Sequence, residues 1–260
     1  MSGDSSKPAL TKRQVLSSQV RIVGFVFLVM LMSIVGVQLV VGVFMSLFPH
    51  AIGWDTSNSV LWYSTPLANF AAIALSEGLA VWTIYYVVRL QKFSFYEFVG
   101  LKKFRWWYPF LAFAGMGTYM VLFIALYSVM QRVLPTETSG QALGFDTNVG
   151  GITLWLAGIG LIVLPPLAEE IVFRGFIYGT LRKAKIPVAG SVLLTSLIFG
   201  TLHIFTGSSG LLWSALVDTF TLSVVLCVLR EQTGSIWTGI FVHAMKNGFV
   251  FVNLFILHAH

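Results

Sequence analysis

Hydrophobic positions fall into seven long runs along the chain, near residues 22–48, 66–89, 107–130, 151–181, 187–205, 211–229 and 235–257, separated by short polar connections. A helix needs roughly 20 apolar residues to cross a bilayer core, so this pattern predicts an all-α bundle of about seven transmembrane spans. The first run follows a polar stretch, Met1 to Gln19. It is too long for a signal-peptide core and has no small-residue cleavage site, so it reads as a retained first span. The fourth run is longer than a simple span and carries Pro165-Pro166 shortly before Glu169-Glu170; a kink or break is expected there. Between the second and third runs, Phe93 to Trp107 mixes aromatic and basic residues at helical spacing, which reads as an interfacial amphipathic piece on the cytoplasmic face. No repeat, low-complexity stretch or soluble domain interrupts the pattern. The expectation is one transmembrane domain over residues 1–260, with a cytoplasmic tail (1–21), N-terminal helices (22–150) and a core (151–257).

Composition agrees with lipid as the solvent. Hydrophobic residues make up 57% of the chain and charged residues only 10%, more apolar material than one soluble domain of 260 residues can use. The lone Cys227 excludes an internal disulfide and, set in an apolar run, reads as packing. The net charge of +6 comes from basic residues clustered between the runs. Lys7, Lys12, Arg13, Arg21, Arg89, Lys92, Lys102, Lys103, Arg105, Arg182, Lys183, Lys185 and Arg230 fall on one side, and Arg132 alone on the other. This asymmetry places the N-terminus in the cytoplasm and the C-terminus outside. It also explains the basic clusters as topology signals, so no nucleic-acid partner is expected. The remaining two basic residues, Arg174 and Lys246, lie within spans.

Ionisable groups inside a membrane are costly and persist where they are paired or line a wet cavity. They are Glu77 in the second run, Glu169, Glu170 and Arg174 in the fourth, His203 at the end of the fifth, Asp218 in the sixth, and His243, Lys246 and the neighbouring Asn247 in the last. Glu170 and Arg174 stand one helical turn apart in the order that suits an ion pair. Glu169 points roughly 100° away from Glu170 on a helix and is left to face a cavity. One reading of these three is a general base held by an anchoring pair; the other is a buried network that only joins helices. Two histidines, His203 and His243, and Asn247 on the same face as His243 favour the first. Glu169 and His203 can activate a water, directly or through a metal such as zinc, while His243 and Asn247 donate to an oxyanion. No HExxH motif is present. A metal set would be Glu169, His203 and His243, asparagine being a poor zinc ligand. Glu77 is expected either to hydrogen-bond within the bundle, the favoured reading, or to reach the site. Asp218 is expected either to orient a histidine or to pair with Lys246.

At these positions the sequence resembles the CPBP (CAAX protease and bacteriocin-processing, or Abi) family of intramembrane proteases, which includes the type II CAAX prenyl endopeptidases. The family's EExxxR motif matches Glu169 to Arg174 with Gly175 following, its FxxxH motif matches Phe199 to His203, and its HxxxN motif matches His243 to Asn247. The resemblance implies an endopeptidase, metallo- or glutamate-type, in which Glu169 and His203 activate water, His243 and Asn247 stabilise the oxyanion, and Glu170 pairs with Arg174. It implies as substrate a membrane-associated peptide or protein. The compact chain, with nothing that points to an organelle, suggests a multi-pass protein of a prokaryotic plasma membrane. Two other classes are compatible with buried polar residues: a transporter with a proton relay and a catalytically silent membrane scaffold.

Overall fold

The computed structural model describes residues 12–47, 65–134, 141, 143–207 and 210–258. Seven of its helices are long and apolar enough to cross a membrane: Leu16–Phe44, Pro66–Leu90, Tyr108–Val133, Gly151–Lys183, Val188–Thr206, Trp213–Thr233 and Trp237–Ile256. They are called the first to seventh spans below. No strand forms among the described residues, where the one β contact is an isolated bridge between Gln141 and Gly207. The chain is an all-helical, multi-pass membrane protein.

Most span limits fall within a few residues of those read from hydropathy, and local chemistry sets them. Thr65 caps the second span, its hydroxyl accepting from the Ala68 N–H, and Pro66 occupies the first helical position, where a missing N–H costs nothing. Gly234, at φ 64°, ends the sixth span in the left-handed conformation. The first helix differs from expectation. It starts at Lys12, inside the stretch read as a tail, because a polar sequence extends a helix into the interface as readily as it forms a loop. Residues 1–11 of that tail lie outside the described residues.

Contacts between connections sort the two ends of the bundle. At the end rich in lysine and arginine, Ile236 donates to the Gly100 carbonyl, the Trp237 indole to Lys102, and Arg182 forms an ion pair with Glu231. At the opposite end, Gln141 meets Gly207, and Leu212 donates to Ile204. These are termed the basic and the opposite faces.

The segment read as an interfacial amphipathic piece is drawn further inward than expected. Only Phe95–Val99 is helical, and Phe95, Phe98 and Val99 are buried in the main hydrophobic core, while Tyr96 and Trp106 stay exposed. Its docking surface lies on the fourth span. Gly175 admits it, since a Cβ there would lie 2.7 Å from Val99 Cβ. We expect Gly175→Ala to destabilise the bundle by about 1–3 kcal/mol through overpacking. Gly117→Ala, with nothing within 4 Å of the new methyl, should leave the melting temperature unchanged or raise it. Thermal unfolding of the two variants in detergent decides this.

Candidate active site

The fourth span is broken where the sequence led us to expect it, and the break does more than bend the helix. Its α-helical stretches alternate with two π-helical ones, Ile159–Val163 before the prolines and Glu170–Tyr178 after them. In α geometry the Leu161 carbonyl would accept from residue 165, and in π geometry from residue 166. Both are proline, without an N–H. The orphaned carbonyl accepts instead from the Asn247 side-chain amide, Nδ2 to O 2.9 Å. Asn247 was expected to be free for an oxyanion; one of its two N–H groups is committed to the backbone defect, which fixes where the other can point.

One residue after this α-helical stretch, Glu170 and Arg174 form an ion pair at 2.7 Å with both side chains fully buried. The guanidinium lies over the Phe199 ring, 4.5 Å from its centroid. Phe199, itself fully buried, also packs against Phe173, His203 and His243, with ring centroids 4.7, 4.6 and 6.0 Å away. The first residue of the FxxxH stretch is therefore the hub on which a cation and two imidazoles rest.

His243 stands between the two glutamates. Its Nδ1 is 3.4 Å from Glu170 Oε1 and its Nε2 3.8 Å from Glu169 Oε2. Glu170, expected to pair with Arg174 and shape the site, thus also meets the His243 ring. The ring can reach both carboxylates because Gly239, one turn earlier on the same helix face, leaves room: a Cβ there would lie 2.6 Å from Glu170 Oε2. Sequence reading passed over Gly239, and the only signal for it was its spacing of four from His243. Glu169 Oε2, Glu170 Oε2 and His243 Nδ1 are buried without a hydrogen bond inside the protein.

His203 closes the group from the fifth span. Its Nδ1 lies 2.8 Å from the Phe199 carbonyl, which can only accept, so in the neutral ring Nδ1 carries the hydrogen and Nε2 holds the lone pair. Glu169, His203, His243 and Asn247 line one cavity of about 620 Å³. Glu77 lines it too and interacts there with Glu169, which is the second of its two expected roles. Asp218 takes the second of its two expected roles, pairing with Lys246 at 2.7 Å. It also accepts from the Tyr119 hydroxyl, a residue that looked like one more member of an apolar run. Among the described residues, no three His, Cys, Asp or Glu side chains converge to hold a metal ion.

Comparison with known proteins bears on this same region. The family model described as type II CAAX prenyl endopeptidase Rce1-like matches residues 151–249. This segment is similar to that family. The matched segment holds every residue of the three motifs and leaves the first three spans outside the match. Among curated proteins, the chain is 37% identical over 91 residues to one of Bacillus subtilis (strain 168) named "Putative membrane peptidase YdiL", covering 35% of this chain and 34% of that protein. It is 28% identical over 143 residues to "Uncharacterized protein YyaK" of the same organism, covering 52% and 45%. It is 26% identical over 149 residues to "UPF0177 protein YxdF" of Lactococcus lactis subsp. lactis (strain IL1403), covering 57% and 76%. The chain thus spans about a third of the length of the first of these relatives and under half of the second. No solved structure matches it.

Two outcomes follow from this packing. Arg174→Met strands the Glu170 charge in a dry site and should cost about 3–5 kcal/mol, whereas Glu170→Leu/Arg174→Met should recover most of the loss; denaturant unfolding of both variants tests it. Pro165→Ala supplies a competing N–H to the Leu161 carbonyl. The stability lost on Asn247→Ala should then shrink by about 0.5–1.5 kcal/mol in that background, read from a double-mutant cycle.

Proposed function

We propose that the protein is an intramembrane endopeptidase that cleaves membrane-associated peptides or proteins with a water activated by Glu169 and His203. The observation that carries this reading is the placing of His243 between two glutamates, on the wall of a cavity that it shares with His203 and Asn247. The Rce1-like match over the same residues supports it. No comparable observation favours a transporter or a silent scaffold.

In the proposed reaction, Glu169 accepts a proton from water, and the His203 Nε2 lone pair orients that water. The water oxygen bonds to the carbonyl carbon of the scissile amide, and the C=O electron pair moves onto oxygen. His243 and the uncommitted N–H of Asn247 donate to this oxyanion in a site where low polarity strengthens each bond. When the C–O double bond re-forms, the C–N bond breaks and its electron pair leaves on nitrogen. Glu169 returns the proton to that nitrogen, giving one carboxyl and one amine product. Glu170 and Arg174 take no proton; they hold the helix and the His243 ring.

The decisive experiment follows cleavage of a panel of membrane-associated peptides by the reconstituted full chain. Glu169→Gln and His203→Ala should reduce cleavage to background with the melting temperature retained. Asn247→Ala should lower kcat by about 10²–10³, the usual worth of one oxyanion donor. Wild-type rates in Glu169→Gln and His203→Ala would overturn the mechanism. Cleavage that a chelator abolishes and added zinc restores would instead make Glu169, His203 and His243 metal ligands.

A further inference from the structure

The cavity has a direction. Its outer lining comes from the opposite face: Gln141, Leu143 and Gly144 from the connection between the third and fourth spans, Thr206 from the end of the fifth, and Phe255 from the end of the seventh. Its floor is set by Glu169 and by His243, which stands only in the second turn of the seventh span counted from the basic face. The cavity therefore reaches past the middle of the bundle from the opposite face. Between that floor and the basic face lies a dry plug of Phe98, Val99, Phe176, Ile177, Leu181 and Ile236, none more than 3% exposed. The short helix Phe95–Val99 is pressed into this plug from the basic side, against Gly175.

A second, smaller cavity of about 260 Å³ shares Gln141, Ala215 and Asp218 with the first and adds Phe123, Tyr127 and Leu212. Except for Phe123, further down the third span, these belong to the opposite-face ends of spans or to the connections there, so the open space broadens on that side.

The charge pattern supplies the orientation. Among the described residues, twelve lysines and arginines belong to the basic face and Arg132 alone to the other, which by the positive-inside rule makes the basic face cytoplasmic. We infer that the catalytic cavity opens to the non-cytoplasmic side of the membrane, so that its substrates are peptide segments presented from outside and not the cytoplasmic tails of proteins. The substrate class rests on the peptidase reading, while the direction of opening does not. The lining suits an extended, mainly apolar segment: Leu143, Phe251 and Phe255 contribute apolar wall, and the polar groups that would meet the scissile bond gather at the floor.

The test separates the two. Glu77 lines the cavity, where its carboxyl interacts with that of Glu169, Gln141 stands at the outer lining, and Lys103 lies at the basic face. Each is replaced by cysteine, singly, in a Cys227→Ser chain expressed in a bacterial host, and sealed spheroplasts are treated with a charged, membrane-impermeant methanethiosulfonate. Glu77→Cys and Gln141→Cys should be blocked from outside, and Lys103→Cys only after lysis. Glu77→Cys that reacts only after lysis, or from neither side, overturns the outward opening, as does any pattern in which Lys103→Cys reacts from outside or Gln141→Cys does not. A membrane-tethered reporter peptide displayed on either face then reads the substrate side in the unmodified chain. Cleavage of the outer display alone is expected, and cleavage of the inner display alone overturns the assignment. If neither is cleaved while the labelling pattern holds, the peptidase reading fails and the direction of opening stands.

Discussion

A single ion pair, Glu170 with Arg174, sets the terms for the surrounding structure, because neither charge has water to fall back on. The attraction between them offsets a desolvation cost of several kcal/mol per ion only when the remaining polar edges also find company. Around this pair the company is aromatic and electrostatic more than hydrogen-bonded, since Glu170 Oε2 and Arg174 Nε and Nη2 are buried without a hydrogen bond inside the protein. The guanidinium rests on the face of Phe199, the carboxylate meets the His243 ring, and Gly239 gives up its side chain so that the seventh span can approach. Three spans are thereby joined at one point, and the histidine that faces Glu169 is held by the same contacts that keep the charges paired.

Much of this architecture could be read from the chain. Seven spans, the proline break and the Glu170–Arg174 pair follow from hydropathy, the missing N–H of proline and the turn of a helix, all of which are local properties. What escaped reading depends on contact between distant segments. The π-helical register after Glu169 changes which side chains share a face, and nothing in the residue types from Glu170 to Tyr178 announces it. Gly239 and Tyr119 sit in apolar runs where a glycine or an aromatic residue is ordinary; only the approach of Glu170 or Asp218 gives them meaning. The site residues were legible as a collection because polar groups in a membrane stand out. Their arrangement was not, since spacing cannot tell which ring nitrogen of His243 faces which carboxylate.

The two faces of the bundle also divide the work unevenly. Aromatic and aliphatic side chains from three separate segments close the basic end, where the connections are tied by backbone and indole hydrogen bonds. The other end keeps open space between its helices and supports it with the Tyr119–Asp218–Lys246 chain of contacts, which places a neutralised lysine in the cavity wall. A tightly packed end and a hollow one give the bundle a rigid base beneath the place where side chains need accurate spacing.

The hydrogen bond from Asn247 to the Leu161 carbonyl ties together residues that leave the ribosome at different times. Until the seventh span is in place, the fourth carries a carbonyl that its own helix cannot satisfy, at a depth where an unmet polar group costs several kcal/mol. Arrival of the last span removes that burden and delivers His243 and Asn247 in one step. A partly synthesised or partly inserted chain therefore lacks this grouping of side chains as well as the satisfied backbone.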